Sequence, residues 1–257
     1  MAVSIDLSGQ SAVVFGVANH RSIAWAIAQR FHEAGASLTV TYQNERMGRT
    51  VLDLVKDMDN TQAVECDVLD EASVAAAFDA AVSKAPLVAI AHCVAFANKD
   101  DLSGDFSNTG VDGFRLALEV SAYSLLPVAR LGAERMTEGG SIMTLSFHAA
   151  DKVYPGYNVM GVAKAALENE VKQLASEFGQ RGIRVNAISA GPLNTLAARG
   201  ISGFTDMQQI HAEHSPLHRN ITQDEVGDAA LFLASSLSTG ITGATLYVDA
   251  GYNIMAI

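Results

Sequence analysis

A phenol and an ammonium placed to share one helix face carry the chemistry of this chain. Tyr157 and Lys164 stand seven positions apart in Tyr154-Pro-Gly-Tyr-Asn-Val-Met-Gly-Val-Ala-Lys164. Pro155 and Gly156 predict a turn, and the run from Tyr157 to about Phe178 predicts a long helix. Two helical turns at ~100° per residue return both side chains to one face, ~10 Å apart along the axis. Upstream, Ser146 closes an apolar, strand-like run, Ser141-Ile-Met-Thr-Leu-Ser146. A hydroxyl donor with a cation behind it suits the stabilisation of an oxyanion. The residue four before Lys164 is Met160, so no phenol lies one turn from the ammonium.

These groups need a scaffold, and the N-terminal third supplies its pattern. Ser11-Ala-Val-Val-Phe-Gly16 predicts a buried strand, Val17 to Arg21 a loop, Ser22 to about Ala34 a helix ended by Gly35, and Leu38-Thr-Val-Thr-Tyr42 a second strand. Such a βαβ unit cradles a pyrophosphate on loop N–H groups and a helix N-terminus. Only Gly16 remains of the usual G-x-G-x-x-G. After the second strand stands Gln43, where a carboxylate would hold ribose hydroxyls and an arginine a 2′-phosphate. Val64-Glu-Cys-Asp67-Val68 predicts the close of a third strand, with Asp67 a possible cap for the helix begun by Asp70-Glu71. Leu87 to Ala95 predicts a fourth strand and its loop. The helix expected from about Phe114 to Met136 contains Pro127, so a kink or a break nearby is expected. Ser141–Ser146, Ile183–Pro192 and Thr245–Gly251 complete about seven strands. The fold expected is α/β, a doubly wound, Rossmann-type parallel sheet in one domain spanning 1–257.

Four segments carry a resemblance. Tyr-x6-Lys within YNVMGVAK, GVAxxxSIA from Gly16, CDV ending at Val68, and RVNAISAGP ending at Pro192 resemble the enoyl-acyl carrier protein reductases of the short-chain dehydrogenase/reductase superfamily. The resemblance covers essentially the whole chain. It implies NADH-dependent reduction of the trans-2 double bond of an enoyl thioester, with Tyr157 and Lys164 catalytic. It implies cofactor contacts at Gly16, Ser22, Ile23, Gln43, Asp67, Val68, Cys93, Val94, Ala95, Lys164, Leu193 and Thr195. Substrate contacts are implied at Ala97, Phe147, Tyr157 and Met160, beneath a lid over about 195–216. The family's glycine before Phe-Ala is Ala95 here, and the second tyrosine of many members is Phe147. Arg46 and Arg49 keep NADPH open, although a solvated helix face is the plainer reading of both. A homotetramer is implied, with the Phe114–Met136 helix packing between subunits. Two other readings stand: a short-chain dehydrogenase acting on a carbonyl or alcohol through Ser146 with Tyr154 or Tyr157, and a non-catalytic cofactor-binding relative.

Composition narrows the partners. The chain has 257 residues, 49% of them hydrophobic, enough for a full core and unlike a disordered segment. A net charge of −11, from 28 acidic and 17 basic residues, disfavours nucleic acid and anionic membranes. No apolar run is expected to reach the ~20 residues of a bilayer span, and no charged-then-apolar leader opens the chain. Cys66 and Cys93 lie in or beside strand-like runs, as buried thiols do in a reducing cytoplasm. His211, His214 and His218 have spacings that invite a metal, but Pro216 interrupts the helix and no carboxylate ligand accompanies them, so none is expected. Thr222-Gln-Asp-Glu225 reads as a capping box. Gly200 to Met207 contains Asp206 and no basic residue. Because acyl carrier proteins are acidic, that stretch leaves a carrier-bound and a CoA-bound thioester both open.

Overall fold

Seven strands lie parallel in one sheet, ordered β3-β2-β1-β4-β5-β6-β7. They are β1 (Ser11–Phe15), β2 (Ser37–Tyr42), β3 (Thr61–Glu65), β4 (Leu87–His92), β5 (Gly140–Ser146), β6 (Ile183–Ala190) and β7 (Thr245–Val248). The computed structural model describes residues 4–256. Among the described residues eight α-helices accompany the sheet: α1 (Ile23–Glu33), α2 (Glu45–Val55), α3 (Glu71–Val82), α4 (Val111–Leu118), α5 (Leu125–Arg135), α6 (Asn158–Phe178), α7 (Phe204–His214) and α8 (Gln223–Ala234). The strand order reverses between β1 and β4, which opens a crevice at the carboxyl ends of those two strands.

Strand alternation divides the core between two layers of helices. Val14, Val40, Ala91, Met143 and Ile188 pack with Ile27, Phe31, Val226 and Leu233 of α1 and α8. Val13, Phe15, Ile90, Ile142 and Val185 pack with Phe78, Leu125, Val128, Leu167 and Val171 of α3, α5 and α6. Because both faces are covered, the inner strands read as nearly unbroken apolar runs. β3 is one of the two edge strands, half-buried from Thr61 to Val64 and exposed at Glu65, where it ends, earlier than its sequence suggests. Cys66 still donates its N–H to Tyr42, but Asp67 and Val68 lie in the loop beyond. Asp70, not Asp67, caps α3 by accepting from the Ala72 N–H at 3.0 Å. The Thr222 capping box is present at α8.

The helix containing Pro127 breaks upstream of the proline. A wider, π-type turn runs from Glu119 to Tyr123, and the Ser124 N–H reaches the Glu119 carbonyl at 3.0 Å. Pro127 has no N–H for the Tyr123 carbonyl and its ring crowds that carbonyl, so the preceding turn widens. The whole run Val111–Arg135, 25 residues, is long and apolar enough to cross a bilayer by length and composition. This corrects the expectation that no segment is. Its apolar side is largely buried in the fold, 56% of the most apolar window, as in a core helix.

Candidate active site

The chemistry-bearing side chains gather at the carboxyl ends of the strands because each follows one. Gly16 leaves β1 with φ +88°, and a Cβ there would overlap the carbonyl oxygen of Cys93, at the end of β4. Glycine therefore sets how closely the β1 and β4 loops approach at the crevice. Ser22, just before α1, organises the intervening loop. Its hydroxyl accepts from the N–H groups of Ala18 (3.2 Å) and Asn19 (3.0 Å) and donates to the Asn19 carbonyl. No side chain caps α1, so its first N–H groups, beginning at Ile23, are free for a ligand phosphate. This cradle fits a dinucleotide. Gly16→Ala is expected to lower the melting temperature by roughly 2–8 °C, since a left-handed alanine costs ~1–2 kcal/mol and each kcal/mol shifts a domain of this size by ~2–4 °C. Thermal unfolding with and without NADH should show a loss of cofactor-induced stabilisation as well.

Other crevice residues arrive from separate loops. Gln43 is exposed at the end of β2. Arg49 pairs with Glu45 at 3.3 Å on the exposed face of α2, while Arg46 is exposed beside it. Asp67 is exposed and its carboxylate accepts from the Leu69 N–H at 3.0 Å; Val68 is buried. Cys93 and Val94 are partly covered and Ala95 is exposed. Ala95 is not among the residues with positive φ, so the backbone there does not demand a glycine. Burial pushes the Cys93 thiol up to about 12, which leaves it neutral. Leu193 is buried, and Thr195 accepts from the Ala198 N–H at 3.2 Å, closing the first turn after β6.

Tyr157 is the cap residue of α6, immediately before its first helical residue. Two apolar clusters meet on it. One holds Leu102, Ala117, Val159 and Met160 with Ala97 and Phe114; the other holds Phe147, Ala149 and Met207 with Tyr154, Ile201 and Phe204. The expected substrate-side residues Ala97, Phe147 and Met160 thus converge on the Tyr157 ring. Phe147 lies 5.0 Å from it, centroid to centroid. Burial alone pushes the Tyr157 phenol well above its usual value, so it stays protonated. Lys164, buried two turns along α6, donates to the Leu145 carbonyl at 2.7 Å. An ammonium has three donors, so two remain for a ligand. Burial lowers Lys164 to about 8, opposed by nearby acids including the Glu168 carboxylate.

The partners of several side chains around the site carry no signal in the sequence. Ser146 does not face a substrate unaided: its hydroxyl donates to Glu168 at 2.5 Å, fastening the end of β5 to α6 one turn beyond Lys164. Ser121, in the widened turn, accepts from the Phe96 N–H at 2.9 Å and lies 3.0 Å from the Phe96 carbonyl, holding the β4 loop. His92 is buried, its ring bridging Thr144 (3.0 Å) and Ser124 (2.8 Å), and burial lowers it to about 3. The three spaced histidines diverge. His211 is buried against Tyr154 and Tyr252, His214 is exposed, and the His218 ring lies 3.3 Å from the Glu213 carbonyl. Among the described residues no three His, Cys, Asp or Glu side chains are grouped to hold a metal.

A depression of about 410 Å³ opens beside α7, between Asn194, Arg199, Phe204 and Gln208. Another, of about 520 Å³, lies at the opposite end of the sheet near Lys84 and Arg135, away from these groups.

Residues 16–253 match a family model described as Enoyl-(Acyl carrier protein) reductase. The enoyl-acyl-carrier-protein reductase (NADH) FabI of Bacillus cereus is 48% identical over 252 residues, covering 97% of this chain and 98% of that protein. The Bacillus subtilis protein of the same name is 48% identical over 257 residues, covering 99% and 100%. The crystal structure of the Bacillus cereus enoyl-acyl carrier protein reductase with NADP+ and indole naphthyridinone superposes with a TM-score of 0.94, covering 98% of this chain and 100% of that one, at 48% identity. A reductase structure from Anaplasma phagocytophilum in complex with NAD gives 0.93 at 43% identity, covering 100% and 98%.

Proposed function

The chain belongs to the enoyl-(acyl carrier protein) reductase family, and from that premise we propose that it reduces the trans-2 double bond of an enoyl thioester with NADH. The observation that carries this reading is the pair along one helix: a partly covered phenol kept protonated, and seven residues on a buried ammonium with donors to spare. A bound nicotinamide supplies the hydride for the β-carbon. Gly16, Ser22 and Ile23 would receive the pyrophosphate, Gln43 the adenine ribose, and Asp67 and Val68 the adenine. Cys93, Val94 and Ala95 would line the nicotinamide ribose, and Leu193 and Thr195 would hold the carboxamide end. Lys164 would hold ribose hydroxyls. The Tyr157 hydroxyl donates to the thioester oxygen as it gains negative charge, in a pocket where Ala97, Phe147 and Met160 exclude water. Solvent supplies the proton that completes the saturated carbon.

A carbonyl reductase of the same fold would need Ser146 free and a phenol one turn from Lys164. Ser146 is bonded to Glu168, and Met160 occupies that turn. The test is NADH consumption with a trans-2-enoyl thioester against the matching 3-ketoacyl thioester. Turnover of the enoyl compound alone is expected; turnover of the ketone alone would overturn the assignment.

The assembly and partner follow from the surface. Val111 and Tyr123, 62% and 51% exposed on the long helical run, suit coverage by other copies in a homotetramer. Two unbridged thiols suit a cytoplasmic protein. At the lid, α7 carries Asp206 and Glu213 and no lysine or arginine. Arg219 is committed to Glu225 at 2.6 and 2.9 Å, which leaves Arg199 as the cation beside the depression. An acidic carrier therefore gains little steering here, where a basic lid would add ~10-fold or more to association. For one acyl chain, the ratio of kcat/KM on carrier protein to that on CoA is expected to change little between low and high salt. A large carrier preference that collapses with salt would contradict this.

A further inference from the structure

Around the end of α7, His148, Tyr154, His211 and Tyr252 form a chain of rings that the proposed reaction does not use. The Tyr154 hydroxyl lies 3.2 Å from Nδ1 of His148 and 3.1 Å from Nε2 of His211. His211 sits in the last turn of α7 and stacks on Tyr252, near the C-terminus, at 3.7 Å between centroids and 16° between planes. The Tyr154 ring is 4.6 Å from Phe147, which is 5.0 Å from Tyr157. One turn and two turns before His211, Met207 and Phe204 join Phe147, Tyr154 and Tyr157 in a single apolar cluster. Helix α7 is thus pinned at its carboxyl end while its amino end roofs the Tyr157 ring. An acyl chain reaching Tyr157 has to part that roof.

We propose that Tyr154 and His211 are positioning residues that latch α7 over Tyr157 through a neutral imidazole–phenol–imidazole chain, and that protonation of His211 loosens the latch. This rests on the reading of Tyr157 as the substrate-facing group. The phenol has one proton to share between two ring nitrogens, so one imidazole accepts it and the other presents its own N–H. A proton added to His211 buries a charge among aromatic rings, and in the tautomer in which Nε2 takes the phenol proton it also removes that acceptor.

Every element packed there bears on the charge. Asp249, after β7, favours a protonated His211, but its carboxylate is already taken by the N–H groups of Gly251 and Asn253 and by the Asn253 amide. His148 opposes it. Around His148 stand Tyr247, Tyr252, Asp151, Lys152 and Glu168; on α7 itself Glu213 and His214 are exposed. Burial dominates and lowers His211 to about 4. In an opened lid the ring would titrate near its ordinary ~6.5. The sign follows: the open form binds the proton more tightly, so closure is fully favoured above ~6.5 and opening grows as pH falls towards 4. The gain approaches tenfold per pH unit, or ~30-fold at pH 5.

Hydrogen exchange of the full chain with NADH bound tests this, reading α7 amides against interior amides of α6 after correction for intrinsic rates. Wild-type α7 protection is expected to fall by at least tenfold from pH 7 to pH 5 while α6 holds. Tyr154→Phe keeps the ring against Phe147 and removes only the hydroxyl; its α7 protection at pH 7 is expected to fall ~2- to 10-fold, the worth of one hydrogen bond. His211→Phe keeps an aromatic on Tyr252 and is expected to abolish the pH dependence. Wild-type α7 protection that does not change with pH, or a His211→Phe profile matching wild type, would overturn the latch. Exchange is read without substrate, so failure of enoyl reduction would count against the reaction and leave the latch result standing.

Discussion

Tyr157→Phe is expected to slow enoyl reduction by ~100-fold or more while leaving NADH affinity within about twofold. The Tyr157 ring is partly buried where two apolar clusters meet, with Phe147 and Met160 in them, and is not part of the Gly16 cradle. Removing one preorganised oxyanion donor from a water-poor site typically costs ~3–4 kcal/mol of transition-state stabilisation. The ring itself stays, so packing against Phe147 is preserved and folding is not the cause of any loss. Calorimetric titration with NADH and the rate with a saturating enoyl thioester separate the two effects. Equal loss of binding and rate would remove Tyr157 from the substrate side.

Lys164→Ala is expected to do the reverse, weakening NADH binding ~10- to 100-fold, as loss of charge-assisted hydrogen bonds does. Nothing else in the site substitutes for it: the Cys93 thiol is neutral and Glu168 is bound by Ser146. The pH dependence supplies an independent check. Lys164 has its folded value lowered to about 8, so its charge is present below pH 8 and fades as pH rises through it. Wild-type affinity should decline over that interval, and that of Lys164→Ala should stay flat. Between about 8 and the unfolded value the unfolded chain holds more protons at this group, so its contribution to stability grows with pH. A loss of binding there is therefore not this group unfolding the protein. Affinity that is unchanged in Lys164→Ala would refute the ribose role.

The sheet was legible because buried parallel strands repeat as short apolar runs ending in small or polar residues, and Ser11–Gly16, Leu87–His92 and Ile183–Ala190 all do so. β3 was misplaced at its end because an edge strand is only half covered and lacks that contrast. The break near Pro127 was legible because a proline disturbs the turn on its amino side, although the residues of the wide turn itself are ordinary helix formers. Tyr157 and Lys164 were readable from spacing on one helix. Ser121, His92 and His148 were not, since each meets its partners across 20 or more residues or through a loop. Glu168 alone offered a local clue, one turn after Lys164. The spacing of His211, His214 and His218 suggested a shared ligand, but His211 turns inward to Tyr154 and Tyr252 while His214 is exposed and the His218 ring lies against a backbone carbonyl.

The central claim is hydride delivery to the β-carbon of a thioester-conjugated double bond with Tyr157 on the forming oxyanion. Turnover of a trans-2-enoyl thioester with NADH deuterated at the transferring position, in ordinary water, followed by NMR of the product, reads it directly. The account predicts a saturated acyl thioester with one deuterium at the β-carbon and none at the α-carbon. Deuterium at the α-carbon, or on a carbon bearing a new hydroxyl, would contradict it.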